Sequence, residues 1–328
     1  VFDSHTLNGV FGDTELQRLF TDSAEIRAML LVEGALAKAQ GARGMIPEIS
    51  AAAIHRASLE IQIDPQALAG PTSKNGVMIP ALVAQFRKEM QAPEHAQFVH
   101  WGATSQDIVD TGLALRLRQA CKLYEDRLVR LLSALGTLAE AHARTPMAGR
   151  TWGQHATPTT FGAVVAAWGA PLLDQHARLL GLSPQLACVS LSGAAGTASV
   201  VGGQAGALRA DLADALGLSD PVRSWHSTRG TMATFSSWMA QTTAQIAKIG
   251  TDLLALTSTE VGEVHLAGAG GSSTMPQKQN PVVPSMLVAL ANLTGALSTA
   301  MTGAAAHQHQ RDGAAWMTEW LPLPQMSI

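Results

Sequence analysis

The chain has 328 residues, 47% of them hydrophobic, enough to bury a sizeable core in one large or two ordinary domains. Only 14% are charged and the net charge is −3 with no basic block, which argues against nucleic-acid binding and for helices that are largely buried, as in an oligomer. Cys121 and Cys188 are far apart and lack metal-ligand spacing, which fits a reduced, cytoplasmic protein.

Residues 1–23 read as irregular, with no visible signal peptide. The chain opens Val-Phe-Asp without a methionine, so its start can lie upstream. Asp22 then caps a helix, with Glu25 three residues on as in a capping box, and the helix runs to Gly41 or Gly44. A shorter helix covers 50–60. Pro65, Gly70, Pro71, Gly76 and Pro80 interrupt the next stretch, and a helix follows at 80–91. Residues 1–108 thus read as a small N-terminal helical domain, and 109–328 as a central domain of long helices.

His100–Gly112, HWGATSQDIVDTG, is polar and precedes a long helix, so Thr104, Ser105, Asp107 and Asp110 suit N-terminal capping. From 112 to 144, Leu117, Cys121, Tyr124, Leu128, Leu131, Leu135, Leu138 and His142 alternate by four and three, a heptad seam of near-parallel packing. The next polar stretch, GRTWGQHATPTTFG from Gly149 to Gly162, leads into a helix at 159–180. Residues 181–203 are loop-like, 204–216 form a short helix, and a second very long helix covers 228–266. A third long helix covers 284–306.

Residues 279–310 carry no Asp, Glu, Lys or Arg and are long enough to span a bilayer. Asn280, Asn292, several hydroxyls and the run His307-Gln308-His309-Gln310 favour instead a helix buried among other helices, with no membrane partner. No stretch alternates with period two, so no sheet is expected and the fold class is all-α, a bundle of long helices.

Gly268–Pro281, GAGGSSTMPQKQNP, stands between two apolar helical segments. Glycines at 268, 270 and 271 allow positive φ and movement, so a lid over an anion and a plain connector are both readings of the composition. It is not a phosphate loop, because Lys278 lies between glutamines instead of preceding Ser or Thr. His307 and His309, two apart, point in different directions on a helix, and neither a metal nor a cofactor is expected. His5, His55, His95, His176, His226 and His265 read as surface or packing residues. Arg311 either meets an anion or is solvated.

Taken whole, GSSTMPQKQNP resembles the Ser-Ser-x-Met-Pro-x-Lys-x-Asn-Pro loop of the fumarase/aspartase superfamily, with Ser272, Ser273, Met275, Pro276, Lys278, Asn280 and Pro281 in place. His100, Thr104, Ser105 and Asp107 resemble that superfamily's first active-site block. Arg150, Thr151, Gly153, His155, Pro158, Thr159 and Thr160 resemble its second. The resemblance implies a central bundle of long helices, a homotetramer, and active sites shared between chains. It also implies a small third helical domain. A chain stopping at Ile328 has no room for it, so that domain is expected to be absent or truncated and the bundle incomplete at its C-terminal end.

Superfamily reactions remove a proton beside a carboxylate and expel a group from the neighbouring carbon, or run in reverse. That chemistry needs a positioned base and fixed positive charge where the enolate-like charge develops. The resemblance implies Ser272 as that base, with Lys278 and Asn280 holding carboxylates and His155 or His100 available as an acid. Thr104, Ser105, Thr151, Gln154 and Thr159 would donate hydrogen bonds, and Asp107, Arg150, Trp152, Ser273 and Met275 would complete the substrate-binding set.

Trp152 departs from the pattern, since adenylosuccinate-type members carry histidine there. An indole cannot protonate a departing amine, whereas a carboxylate leaves without protonation. The expected reaction is therefore the addition of an intramolecular carboxylate to a double bond, as in the muconate-cycloisomerising branch, which Arg-Thr-Trp and the stretch from Arg311-Asp312 to Trp316 also resemble. The expected partner is a small anionic muconate-type tricarboxylate or its sulfonate analogue. An adenylosuccinate- or argininosuccinate-type lyase and a non-catalytic helical scaffold remain the alternatives.

Overall fold

The structure, a computed structural model, describes residues 4–268 and 270–328. Two short helices, α1 (His5–Phe11) and α2 (Thr14–Gln17), precede α3 (Asp22–Ala42). Thr21, not Asp22, is the N-cap of α3 and accepts from the Ala24 amide at 3.2 Å. Then come α4 (Glu48–Glu60), α5 (Pro65–Asn75), α6 (Ile79–Glu89) and the single turn α7 (Pro93–Ala96). The proline-rich stretch expected to be broken is helical in α5. Asp64 caps it, Pro65 sits in the first turn where a missing N–H costs nothing, and Gly76 ends it at φ +70°.

The long helices follow: α8 (Ser105–Ala141), α9 (Phe161–Leu186), the short α10 (Ala205–Leu216), α11 (Gly230–Leu256) and α12 (Val282–Ala304). The chain ends in α13 (Gly313–Trp320) and α14 (Pro322–Ser327). The fold is all-α, as expected, with one addition. Pro146–Thr151 (β1) and Gln154–Thr160 (β2) form an antiparallel hairpin between α8 and α9, where no sheet was foreseen. β2 is mostly exposed and β1 only half-buried, with Met147 alone packing on an apolar cluster, so the strands lack the alternation that would have announced them.

Three apolar clusters hold the chain together. One packs α3, α4 and α6 on the first turns of α8 through Met29, Leu36, Ile54, Phe86 and Ile108. A second joins α8, α9 and α11 through Leu117, Cys121, Leu182, Phe235 and Trp238. The third, Leu135, Val165, Trp168, Ile249 and Leu256, closes the far end of the bundle. Within the heptad seam of α8, Leu117, Cys121, Leu128 and Leu135 are buried, while Leu138 stays exposed.

Two helix ends differ from expectation. α9 runs past Gly181 and Pro184 because Leu182 and Leu186 bury in the second cluster. α11 stops ten residues before 266. The Glu263 and Val264 amides turn back to donate to the Leu256 carbonyl, and Gly262 takes φ +56°. α12 is 23 residues long and apolar enough to cross a membrane by composition. Along its length only Pro284, Thr294, Ser298, Met301 and Ala304 are buried, so a single chain does not surround it as expected. Val282, Val283 and Leu293 are exposed.

Gly162 sets the junction of hairpin and bundle. A Cβ there would lie 2.4 Å from the Ala139 carbonyl oxygen and 2.7 Å from the Ala143 amide nitrogen, both backbone atoms that cannot swing aside. Gly162→Ala is expected to destabilise the fold by about 1–3 kcal/mol. Gly181→Ala in the same helix, with no atom within 4 Å of the new Cβ, is expected to be neutral or stabilising by up to about 1 kcal/mol. Urea midpoints for the two variants check this, and equal midpoints would refute the steric account.

Candidate active site

The first group of candidate residues lies at the N-terminus of α8. His100 sits in the loop before it with φ +66°, in the left-handed region that costs a non-glycine residue energy. Its Nδ1 lies 2.6 Å from Oε1 of Glu33, a residue of α3 that is 1% exposed. Burial works against a charged ring, but the hydrogen bond and charge of Glu33 outweigh it and raise the His100 pKa. Thr104 caps the helix, and its hydroxyl accepts from Arg311 Nη2 at 2.9 Å. Arg311 also donates to the Ala194 carbonyl at 3.0 Å, so the loop between α12 and α13 and the loop after α9 meet here. Arg311 is thus held at the site, which its position in the sequence left open.

Asp107 requires a correction. It was expected to touch substrate, but it is fully buried and both its oxygens are taken. Oδ1 accepts from the Ser192 amide at 2.8 Å and pairs with His226 Nε2 at 2.8 Å. Oδ2 accepts from the Gly193 and Thr104 amides at 3.0 Å each. Charge-assisted bonds of this kind tie the 190–193 segment to the start of α8. Beneath it, Arg229 is wholly buried between Asp110, at 2.7 Å, and Glu319, with its guanidinium 4.7 Å over the Trp225 ring. Burial raises the pKa of Glu319, while Arg229 pulls it back down.

The second group lies on the hairpin. Trp152 and Gly153 form its two-residue turn, with φ of +54° and +73°, the left-handed pair that matches strand twist. Trp152 is 100% exposed, and Thr151, Gln154 and His155 are exposed beside it. Thr159, nearer the bundle, is half-buried. Arg150 makes a two-pronged pair with Glu263 at 2.7 and 2.8 Å, so within one chain its guanidinium is occupied.

The third group is the loop before α12. The Gly270 and Asn280 backbones pair at its neck, and Asn280 Nδ2 donates to the Gly271 carbonyl at 3.2 Å. Ser272 is half-buried, and its Oγ accepts from the Met275 amide at 3.1 Å and the Thr274 amide at 3.3 Å. Two N–H dipoles aimed at that oxygen favour the deprotonated hydroxyl. Ser273, Met275 and Lys278 are exposed. Among the described residues no Lys or Arg hydrogen-bonds Ser272.

The three groups do not meet within one chain. α8 spans 37 residues, about 56 Å at 1.5 Å per residue, with Thr104 at one end and the hairpin at the other. The Ser272 loop leaves the hairpin end, where Glu263 binds Arg150. His307 lies outside all three groups. Its side chain is fully buried, with no hydrogen bond to either ring nitrogen among the described residues and Nε2 4.0 Å from Glu319 Oε1, and burial and Arg229 lower its pKa.

Comparison with known proteins gives a consistent relationship. The family described as Lyase matches residues 7–295. The chain is 39% identical over 316 residues to a 3-carboxy-cis,cis-muconate cycloisomerase of Pseudomonas aeruginosa, covering 95% of this chain and 69% of the relative. It is 37% identical over 336 residues to a nitrosuccinate lyase of Streptomyces davaonensis, covering 98% and 71%. The solved structure of a 3-carboxy-cis,cis-muconate lactonizing enzyme from Pseudomonas putida superposes with a TM-score of 0.92 at 34% identity, covering 99% of this chain and 73% of that one.

Proposed function

Because the chain belongs to the lyase family of the fumarase/aspartase superfamily, we propose that it is a cycloisomerase that closes 3-carboxy-cis,cis-muconate to 4-carboxymuconolactone. The observation that carries this reading is Trp152, an indole at the exposed tip of the hairpin where an amine-expelling site needs an acid. A carboxylate is its own low-pKa leaving group, and its addition to or loss from a double bond needs no proton on the oxygen.

In the ring-closing direction a substrate carboxylate oxygen bonds to the far carbon of a double bond. The electron pair moves onto the carbon beside a second carboxylate as an enolate-like dianion. Ser272 Oγ–H then delivers the proton to that carbon, and solvent restores the hydroxyl. In reverse the Ser272 oxyanion, supported by the Thr274 and Met275 amides, removes the proton. Lys278 and Asn280 hold the carboxylate that gains charge. Thr104, Ser105, Arg311, Thr151, Gln154 and Thr159 hold the others, and His100 and His155 are the acids within reach of the assembled site.

That assembly is proposed as a homotetramer. Support comes from the length of α8, which puts Thr104 at one end of a helix of about 56 Å and the hairpin and the Ser272 loop towards the other, and from the exposed apolar face of α12. Neighbouring copies would cover that face and bring a hairpin and a Ser272 loop to each Thr104. The proposed substrate implies a place in the breakdown of aromatic acids such as protocatechuate, and a cytoplasmic location accords with two buried free thiols, one at Cys121 and one at Cys188, each pushed up to about 11 by burial.

The test is optical. Addition of the protein to 3-carboxy-cis,cis-muconate is expected to remove the conjugated-diene absorbance at once, with 3-sulfomuconate, adenylosuccinate and nitrosuccinate run in parallel. Nitrosuccinate is the second reading, because nitrite also departs without a proton and one relative bears that name. Cleavage of adenylosuccinate with no change in either muconate would overturn the argument from Trp152.

A further inference from the structure

Glu33 is a carboxylate inside the first apolar cluster, 1% exposed, on a helix lined by Met29, Leu30, Val32 and Leu36. Burying such a group costs several kcal/mol unless a cation and hydrogen bonds compensate. Its sole cationic neighbour within ion-pairing distance among the described residues is His100. Oε1 meets Nδ1 at 2.6 Å, and Oε2 is buried with no partner at all. A purely structural carboxylate would be expected to use both oxygens, as Asp107 does. This one leaves half its capacity unused and directs the rest at a single ring nitrogen.

The ring is equally one-sided. Nδ1 is committed to Glu33, which fixes that nitrogen as the N–H donor. Nε2 has no hydrogen bond among the described residues and is not among the buried orphans. The backbone at His100 is held at φ +66°, a strained setting that persists where surrounding structure enforces it. Four residues on, Thr104 meets Arg311, so the ring belongs to a segment that already gathers a cation and hydroxyls for an anion.

We propose that Glu33 is a positioning residue that holds His100 as an imidazolium, so that its free Nε2–H serves as a cationic hydrogen-bond donor to a carboxylate of the substrate. The charged groups acting on the ring are Glu33 from α3, Asp107 from α8 and Arg87 from α6. The two carboxylates favour the charged ring, and Arg87 opposes it. A raised pKa means that the cation persists to higher pH and is lost as pH rises through that value. The alkaline side of the kcat/KM profile therefore reports it. The identity of the anion rests on the proposed cycloisomerase reading, but the charge state of His100 does not.

The experiment is titration of the His100 ring by NMR in the wild-type protein, in Glu33→Gln and in His100→Gln as the assignment control, with kcat/KM for 3-carboxy-cis,cis-muconate measured across pH 6–9. Gln is isosteric and can still accept from Nδ1–H, so only the charge is removed. The Glu33→Gln ring is expected to titrate at least about one pH unit lower. On the alkaline side, kcat/KM should fall about tenfold for each such unit, through KM more than kcat. Adding Glu33→Gln to His100→Gln should then cost nothing further. A wild-type ring titrating at or below an ordinary imidazole overturns the proposal without any variant. So does a loss in Glu33→Gln that is equal at every pH, or one that persists in the His100→Gln background. If no muconate is turned over, the reaction assignment fails while the titration still decides the role of Glu33.

Discussion

Ser272→Ala is expected to lower turnover of 3-carboxy-cis,cis-muconate by about 10²–10⁴-fold, the range for removing a positioned proton-transfer group. Its helix content and its mass in solution should be those of the wild type. Ser272 is a loop residue whose Oγ, among the described residues, hydrogen-bonds only the Thr274 and Met275 amides, so the substitution removes no hydrogen bond to the core. Two alanines separate the chemistry from the loop's shape. Ser273→Ala beside it, whose hydroxyl meets only the Thr274 hydroxyl, at 3.4 Å, among the described residues, is expected to cost far less. Steady-state rates together with light scattering decide the matter. Equal rates in Ser272→Ala and wild type would remove this hydroxyl from the mechanism, and a dissociated variant would make it a structural residue instead.

The second large effect is on stability. Arg229→Met is expected to cost about 3–5 kcal/mol, because it strands two buried carboxylates. Asp110 and Glu319 are 1% and 3% exposed in their side chains, and Arg229 is the cation between them. Gln106 Nε2 and Trp316 Nε1 also donate to Asp110, at 3.2 Å each, and cannot neutralise it. The triple change Arg229→Met, Asp110→Leu and Glu319→Leu should recover most of the loss, since no charge is then left without a partner. Urea unfolding followed by circular dichroism reads both. A single variant within about 1 kcal/mol of wild type would mean that water reaches this cluster. The cluster also anchors α13 to α8 and so carries the loop bearing Arg311, which ties the stability of this corner to the geometry at Thr104.

Much of this protein was legible in its residues because the information was local. Heptad spacing announced α8 and α11, and the uncharged run at 279–310 announced α12, since each helix must turn an apolar stripe inward to survive. The three polar blocks were legible for a related reason. Chemistry at an anion needs hydroxyls, amides and cations in short, turn-rich segments, and such segments stand out between apolar helices.

What only the tertiary structure decided left no periodic mark in the sequence or depended on residues far apart in it. The hairpin of 146–160 is held mainly by its own ladder, with Met147 its one contact to an apolar cluster, so no periodicity marked it. α11 ends where the Glu263 and Val264 amides turn back on the Leu256 carbonyl, and the Glu263 side chain then pairs with Arg150, 113 positions away in the chain. Asp107 has the composition of a binding residue, yet contacts with Ser192, Gly193 and His226 turn it inward. Glu33 reads in sequence as one charged residue on an apolar helix. Its meaning comes from His100, 67 positions on, and from the desolvation that makes a buried charge act on the one group within its reach.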